Sequence, residues 1–225
     1  IEQYLRQKSL ILETLDQLRE KNLVVEKLEE ASNSRKDNSF LTLNCYNKKM
    51  PKLNVLVAGS TGYIGVQLIK LLVKHSDVKI KYLCGNSSVG KNISSYEKSL
   101  SSKKLPKIIR YNKALLKNID LVFTALPNGE AQDISNDLLK HNVLIDLAAD
   151  FRLNKASDYL KWYKQKHRSV KNIKKSIYSL PEINGDKVKK FNIIGCPGCY
   201  PTSILLPLIP LVKKNLIKTD NVIID

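Results

Sequence analysis

Leu53-Asn54-Val55-Leu56-Val57-Ala58-Gly59-Ser60-Thr61-Gly62-Tyr63-Ile64-Gly65 is the stretch that decides the fold. The first six residues form a short, nearly continuous apolar run, as expected of a strand buried on both faces. The next seven follow a G-x-x-G-x-x-G spacing. Glycine permits a tight turn there and leaves the backbone bare enough for a pyrophosphate to approach. Val66 to Lys74 then reads as a helix with Leu68, Leu71 and Leu72 on one side. A strand, a glycine turn and an amphipathic helix in that order are the context in which such a triplet signals dinucleotide binding, because the helix N-terminus favours phosphate. Gly59, Ser60, Thr61, Gly62, Tyr63, Ile64 and Gly65 are therefore the candidate cofactor-binding residues.

Outward from this unit the alternation continues. Strands are predicted at 78–83 (VKIKYL), 120–126 (DLVFTAL) and 143–147 (VLIDL), with a helix over 131–141 between the last two. Strands separated by helices argue a parallel, doubly wound, Rossmann-like α/β sheet, and we assign it residues 50–198. The segment after the second strand, Cys84-Gly85-Asn86-Ser87-Ser88, has no acid to hold ribose hydroxyls, and Lys91 follows. Small hydroxyls and a cation suit a 2′-phosphate, so NADP is expected, with Ser87 and Ser88 as contacts. Thr124-Ala125-Leu126-Pro127-Asn128-Gly129 leaves a buried strand. It is either a plain turn or, through Pro127, a wall of the cofactor crevice.

Residues 199–225 are expected to begin a second, α+β substrate and dimerisation domain that is truncated here. Its most apolar stretch, 203–212 (SILLPLIPLV), reads as buried core, and Val222 to Asp225 as a strand cut short. Residues 1–49 differ in character. Ile1, Tyr4, Leu5, Ile11, Leu12, Leu15 and Leu18 follow helical spacing, and 32–38 (SNSRKDN) reads as a polar linker. This segment is expected to be a helical extension or a non-native piece joined upstream of a start at Met50, the only Met in the chain.

The formal charge is +17, with 38 Lys and Arg against 21 Asp and Glu. Residues 1–49 hold nine basic and eight acidic residues, so +16 of this falls on 50–225. The lysines are scattered among Asn and Ile rather than interleaved with aromatics. We read them as a solvated surface and expect no nucleic-acid partner. The longest apolar run is too short for a membrane span, and the N-terminus has no signal-peptide core, so a cytoplasmic protein is expected.

Reduced thiols are expected in that compartment. Of Cys45, Cys84, Cys196 and Cys199, the last is the candidate nucleophile. Cys196-Pro197-Gly198-Cys199-Tyr200-Pro201-Thr202 precedes an apolar helix that Pro201 would open, placing Cys199 where the helix dipole stabilises a thiolate. Cys196 and Cys199 also form a C-x-x-C. A zinc site needs about four ligands, and neither a second C-x-x-C nor a His pair is present, so no metal is expected. In a thioredoxin-type pair the second Cys lies inside the helix, whereas here the helix is expected to begin after Cys199.

Taken together, 59–65 (GSTGYIG), 125–129 (ALPNG), 146–153 (DLAADFRL), 178–183 (YSLPEI) and 197–202 (PGCYPT) resemble the N-acetyl-gamma-glutamyl-phosphate reductase family, in family order and over 50–225. Ala148 and Ser179 depart from it, where the family usually has Ser and Gly. The resemblance implies NADPH-dependent reduction of an acyl phosphate to a semialdehyde in arginine biosynthesis. It implies Cys199 as the nucleophile, a homo-oligomer, and a catalytic histidine supplied from beyond Asp225. His75, His141 and His167 lie in no matching motif, and His167 reads as part of a surface helix. Asp150 and Arg152 read as a structural ion pair or, through Arg152, a substrate contact. Glu182 is a second substrate candidate.

Three rivals are weighed. Aspartate- and aminoadipate-semialdehyde dehydrogenases are siblings; the former usually reads Asn-Cys-Thr-Thr around its cysteine, which does not match. An extended short-chain dehydrogenase would need Tyr-x-x-x-Lys after the glycine turn, and the only instance, Tyr4 to Lys8, precedes it. A non-catalytic NADP-binding regulator is supported by the charge alone.

Overall fold

The computed structural model describes residues 51–224. The helix, linker and Cys45 considered within 1–49 lie outside the described residues. Among the described residues seven strands form one sheet, in the order β3-β2-β1-β4-β5-β7-β6. They are β1 (Leu53–Ala58), β2 (Val78–Cys84), β3 (Ile108–Ile109), β4 (Leu121–Thr124), β5 (Val143–Asp146), β6 (Ser176–Tyr178) and β7 (Ile193–Gly195). Every pairing is parallel. The four strands expected from sequence are present to within two residues at their ends. β3, β6 and β7 have two or three residues each, too short to show a period.

The central strands are apolar throughout because both faces are covered. Val55 and Val57 of β1 face one core layer, with Leu68, Ile69 and Leu72 of α1 (Tyr63–Leu72). Leu56 and Ala58 face the other, with Ala131 and Ile134 of α2 (Glu130–Asp137). This alternation follows from the two-residue strand period. Each fully buried Leu or Ile contributes roughly 1.5–3 kcal/mol. Short helices α3 (Ala156–Tyr163), α4 (Val170–Ile173) and α5 (Pro181–Asn184) connect β5, β6 and β7. α6 (Cys199–Lys213) follows β7.

The chain winds outward from β1 to β3 and then returns to β4, beside β1. The sheet order therefore reverses at the β1/β4 boundary, where ligands of such sheets bind, at the strands' carboxyl ends. The segments leaving those ends are 59–65, 85–88, 125–129, 147–152, 179–182 and 196–199, which hold every candidate site residue.

Two expectations at the C-terminal end are corrected. The apolar stretch 203–212 is helical, but no residue of α6 is buried. Composition marks it as suited to burial, but among the described residues Ile204, Leu205, Leu206, Leu208 and Ile209 are only half-buried. Residues 222–224 form no strand. No described helix is long and apolar enough to cross a membrane.

Candidate cofactor crevice and nucleophile

The three glycines of the turn do different work. Gly59 has φ +80°, and a Cβ there would lie 2.2 Å from the carbonyl oxygen of Ala125. At Gly65 a Cβ would lie 2.1 Å from the carbonyl oxygen of Gly59. Both are required by the turn and by its packing on helix and neighbouring strand. Gly62 is different: its φ is an ordinary −70°, and a Cβ would meet nothing nearer than 3.6 Å. The protein's own packing does not require glycine at this position. It leaves the backbone bare at the start of α1, where no side chain caps the helix and the N–H groups suit an anionic ligand.

Ser60 is buried, and its hydroxyl and N–H both donate to the carbonyl of Cys84, at 3.0 and 3.1 Å. Its side chain thus ties the turn to β2 and does not face the crevice. Tyr63 and Ile64 are exposed, and Thr61 is half-buried.

Beyond β2, Ser88 is 1% exposed, and its hydroxyl has no hydrogen-bond partner. A buried orphan hydroxyl costs about 1–3 kcal/mol unless a ligand or water satisfies it. Gly85 makes room for it, since a Cβ there would lie 2.4 Å from Ser88 Oγ. Ser87 and Lys91 are exposed beside it. The open cradle at Gly62 and the orphan at Ser88 both fit a dinucleotide carrying a 2′-phosphate.

After β4, Pro127 is exposed and its carbonyl accepts from Glu130 N–H, so it opens α2. Gly129, at φ +98°, donates its N–H to Asp150 Oδ1 at 2.7 Å. Its carbonyl accepts from Arg168 Nη2 at 2.6 Å. Asp150 also accepts from Ala131 N–H, Gln132 Nε2 and the Tyr159 hydroxyl, at 3.1, 3.0 and 2.6 Å. These partners are 9 to 21 residues from Asp150, and no sequence motif announces them.

The expected Asp150–Arg152 ion pair does not form. Asp150 turns toward α2, while Arg152 Nε donates to the Cys196 carbonyl at 2.8 Å and Nη2 to the Leu147 carbonyl at 3.3 Å. His167, expected on a surface helix, is buried, because the helix ends at Tyr163 and the chain turns inward. Its Nδ1 accepts the Ser169 N–H at 3.1 Å, which leaves the proton on Nε2 to donate to the Asp150 carbonyl at 2.9 Å. Burial pushes its pKa down. Asp146, at the end of β5, is fully buried and accepts from Thr124 Oγ1, Ala148 N–H and Asp150 N–H. Burial and the nearby Asp150 push its pKa up to about 6.

Cys199 is exposed and is the first residue of α6, with Gly198 as its N-cap. The helix therefore begins at Cys199 rather than after it, and Pro201 lies within its first turn. Cys84 and Cys196 are buried, which pushes both thiols up to about 12 and leaves them poor nucleophiles. Arg152 Nη1 would lie 3.2 Å from a Cβ on Gly198, so the guanidinium sits beneath the turn that presents Cys199. Glu182 is exposed on α5, beyond the end of β6, which pairs with β7. Among the described residues no cluster of His, Cys, Asp or Glu is arranged to hold a metal.

Residues 54–191 match the family described as semialdehyde dehydrogenase, NAD-binding domain. The chain is 37% identical over 173 residues to a probable chloroplastic N-acetyl-gamma-glutamyl-phosphate reductase of Arabidopsis thaliana, covering 77% of this chain and 43% of the relative. It is 41% identical over 177 residues to the N-acetyl-gamma-glutamyl-phosphate reductase of Ehrlichia canis, covering 77% and 50%. The chain thus spans about half the length of the curated relatives it matches. Among solved structures, aspartate semialdehyde dehydrogenase II of Vibrio cholerae shares the fold at TM-score 0.51 and 20% identity, over 72% of this chain and 43% of that one.

Proposed function

The chain belongs to the semialdehyde dehydrogenases through their NAD-binding domain, and on that premise we propose that the protein containing it reduces N-acetyl-glutamyl phosphate to the 5-semialdehyde and phosphate, with NADPH, in arginine biosynthesis. The observation that carries this reading is the placement of an exposed cysteine, Cys199, at a helix start on the sheet end that holds the glycine turn. The named relatives support the substrate.

In this reading Gly62 and the start of α1 hold the pyrophosphate. Ser87, Ser88 and Lys91 meet the 2′-phosphate, and Pro127 borders the nicotinamide. NADPH, when bound, supplies a hydride. Cys199 Sγ attacks the acyl carbon, the C–O bond to phosphate breaks, and a thioester remains on the enzyme. Reduction of that carbon and departure of the thiolate release the aldehyde. Arg152 and Glu182 are substrate-side candidates, with Arg152 already committed in part to the Cys196 and Leu147 carbonyls. The acid/base falls to a residue beyond Asp225, in the second domain that α6 opens, and the active protein is a homo-oligomer.

The test is the reverse reaction of the intact protein: NADPH formation from N-acetyl-glutamate semialdehyde, with and without inorganic phosphate. Phosphate-dependent turnover supports the reading. Turnover only with the aspartate or aminoadipate analogue would move it to a sibling enzyme, and NADPH binding without turnover on any of these would favour a regulator.

A further inference from the structure

The three consecutive residues 150–152 touch both halves of the site. The Asp150 carboxylate holds Gly129 N–H and Ala131 N–H, on the cofactor side, at 2.7 and 3.1 Å. The Phe151 carbonyl packs on Gly195 so closely that a Cβ there would lie 2.3 Å away. Arg152 Nε donates to the Cys196 carbonyl at 2.8 Å, three residues before Cys199. Asp150 is itself gripped along its length. Its N–H donates to Asp146 Oδ2, its carbonyl accepts from His167, and Tyr159 and Gln132 donate to its side chain. A buried carboxylate with four donors has one low-energy position, so the turns attached to it share that position.

From this geometry we propose that Asp150 is a positioning residue that joins the turn at Pro127–Gly129 to the turn that presents Cys199, so that the cofactor side and the nucleophile are set by one group. It touches neither hydride nor thiol. The proposal rests on the reading of Cys199 as the nucleophile, but its test requires no substrate.

Two quantities are measured on the intact protein: the Kd for NADPH, and the rate of Cys199 alkylation by iodoacetamide followed by peptide mass spectrometry. Asp150→Ala should raise the Kd at least ten-fold and change the alkylation rate at least five-fold. Asp150→Asn, which keeps an acceptor for Gly129, Gln132 and Tyr159 and loses only that for Ala131, should retain most of both. Tyr159→Phe, which removes only the hydroxyl that donates to Asp150 Oδ1, serves if the alanine variant fails to fold. It should shift both quantities together, by about two- to five-fold, at unchanged far-ultraviolet circular dichroism. A change in Kd alone would reduce Asp150 to a cofactor-turn residue and overturn the proposal. A change in melting temperature with both quantities constant would do the same. Failure of wild-type Cys199 to alkylate at all would instead count against its role as nucleophile.

Discussion

Arg152 donates its Nε–H to the carbonyl of Cys196 across 2.8 Å, although the two stand 44 positions apart in the chain. A second donor of the same guanidinium reaches the Leu147 carbonyl, so the side chain bridges the segments leaving β5 and β7. Arg152→Ala would leave the buried Cys196 carbonyl without this donor and free the turn before Cys199. We expect a loss of roughly 1–3 kcal/mol in denaturant-measured stability and slower alkylation of Cys199. Arg152→Lys, which cannot span both carbonyls, should recover only part of each.

The glycine turn can be separated into scaffold and ligand roles. Gly59→Ala and Gly65→Ala push a methyl within 2.2 Å of backbone and should destabilise by more than about 2 kcal/mol. Gly62→Ala meets nothing closer than 3.6 Å and should leave stability within about 0.5 kcal/mol. NADPH binding by Gly62→Ala should nonetheless weaken by about ten-fold or more, roughly 1.4 kcal/mol. Paired melting curves and fluorescence titrations check this.

The proposed contact of Ser88 with a 2′-phosphate is tested by comparing the two nicotinamide cofactors. Its hydroxyl is buried and unpartnered in the protein alone, so Ser88→Ala should leave the free protein as stable as before or slightly more so. If the hydroxyl meets the 2′-phosphate, the variant should lose about ten-fold in NADPH affinity and little in NADH affinity. Titration of both cofactors reads the ratio.

The pH dependence of stability has two opposed contributions. His167 is held neutral by burial, so its folded pKa lies below the ordinary value. The unfolded chain binds that proton first, and stability is lost as pH falls through about 6.5. Asp146 is raised to about 6; the folded form binds its proton first, and acidification from about 6 toward 4 adds stability. His167→Gln should therefore be less stable at pH 7, by about 1–2 kcal/mol through lost ring packing, yet show a smaller loss between pH 7 and 5. Asp146→Asn should show a larger loss, because the compensating proton uptake is gone. Denaturation at pH 7, 6 and 5 decides both.

The features legible in the sequence were the local ones. β1, the glycine turn, α1 and the cysteine turn each lie within a dozen residues and follow from period and backbone permissiveness alone. The clamp on Gly129 was not legible: Asp150 lies 21 residues away and Arg168 39 residues away, and the turns joining them carry no signal. The expected Asp150–Arg152 pair is absent because closeness in sequence says nothing about where two side chains are drawn. Hydrophobicity likewise marked 203–212 as suited to burial without saying what would cover it. Position in the sequence does not separate Gly62 and Ser88 from Ser60, whose hydroxyl turns inward to the Cys84 carbonyl.

If Cys199 carries the acyl group, intact-protein mass spectrometry should catch it there. The full-length protein is mixed with N-acetyl-glutamate semialdehyde and NADP+ without phosphate, so that a thioester forms and has no phosphate acceptor. We expect one N-acetyl-glutamyl adduct per chain, mapped to the Cys199 peptide, absent from Cys199→Ser, and discharged on addition of inorganic phosphate. An adduct on another residue, or stoichiometric NADPH formation with no adduct on Cys199, would rule out Cys199 as the acyl carrier.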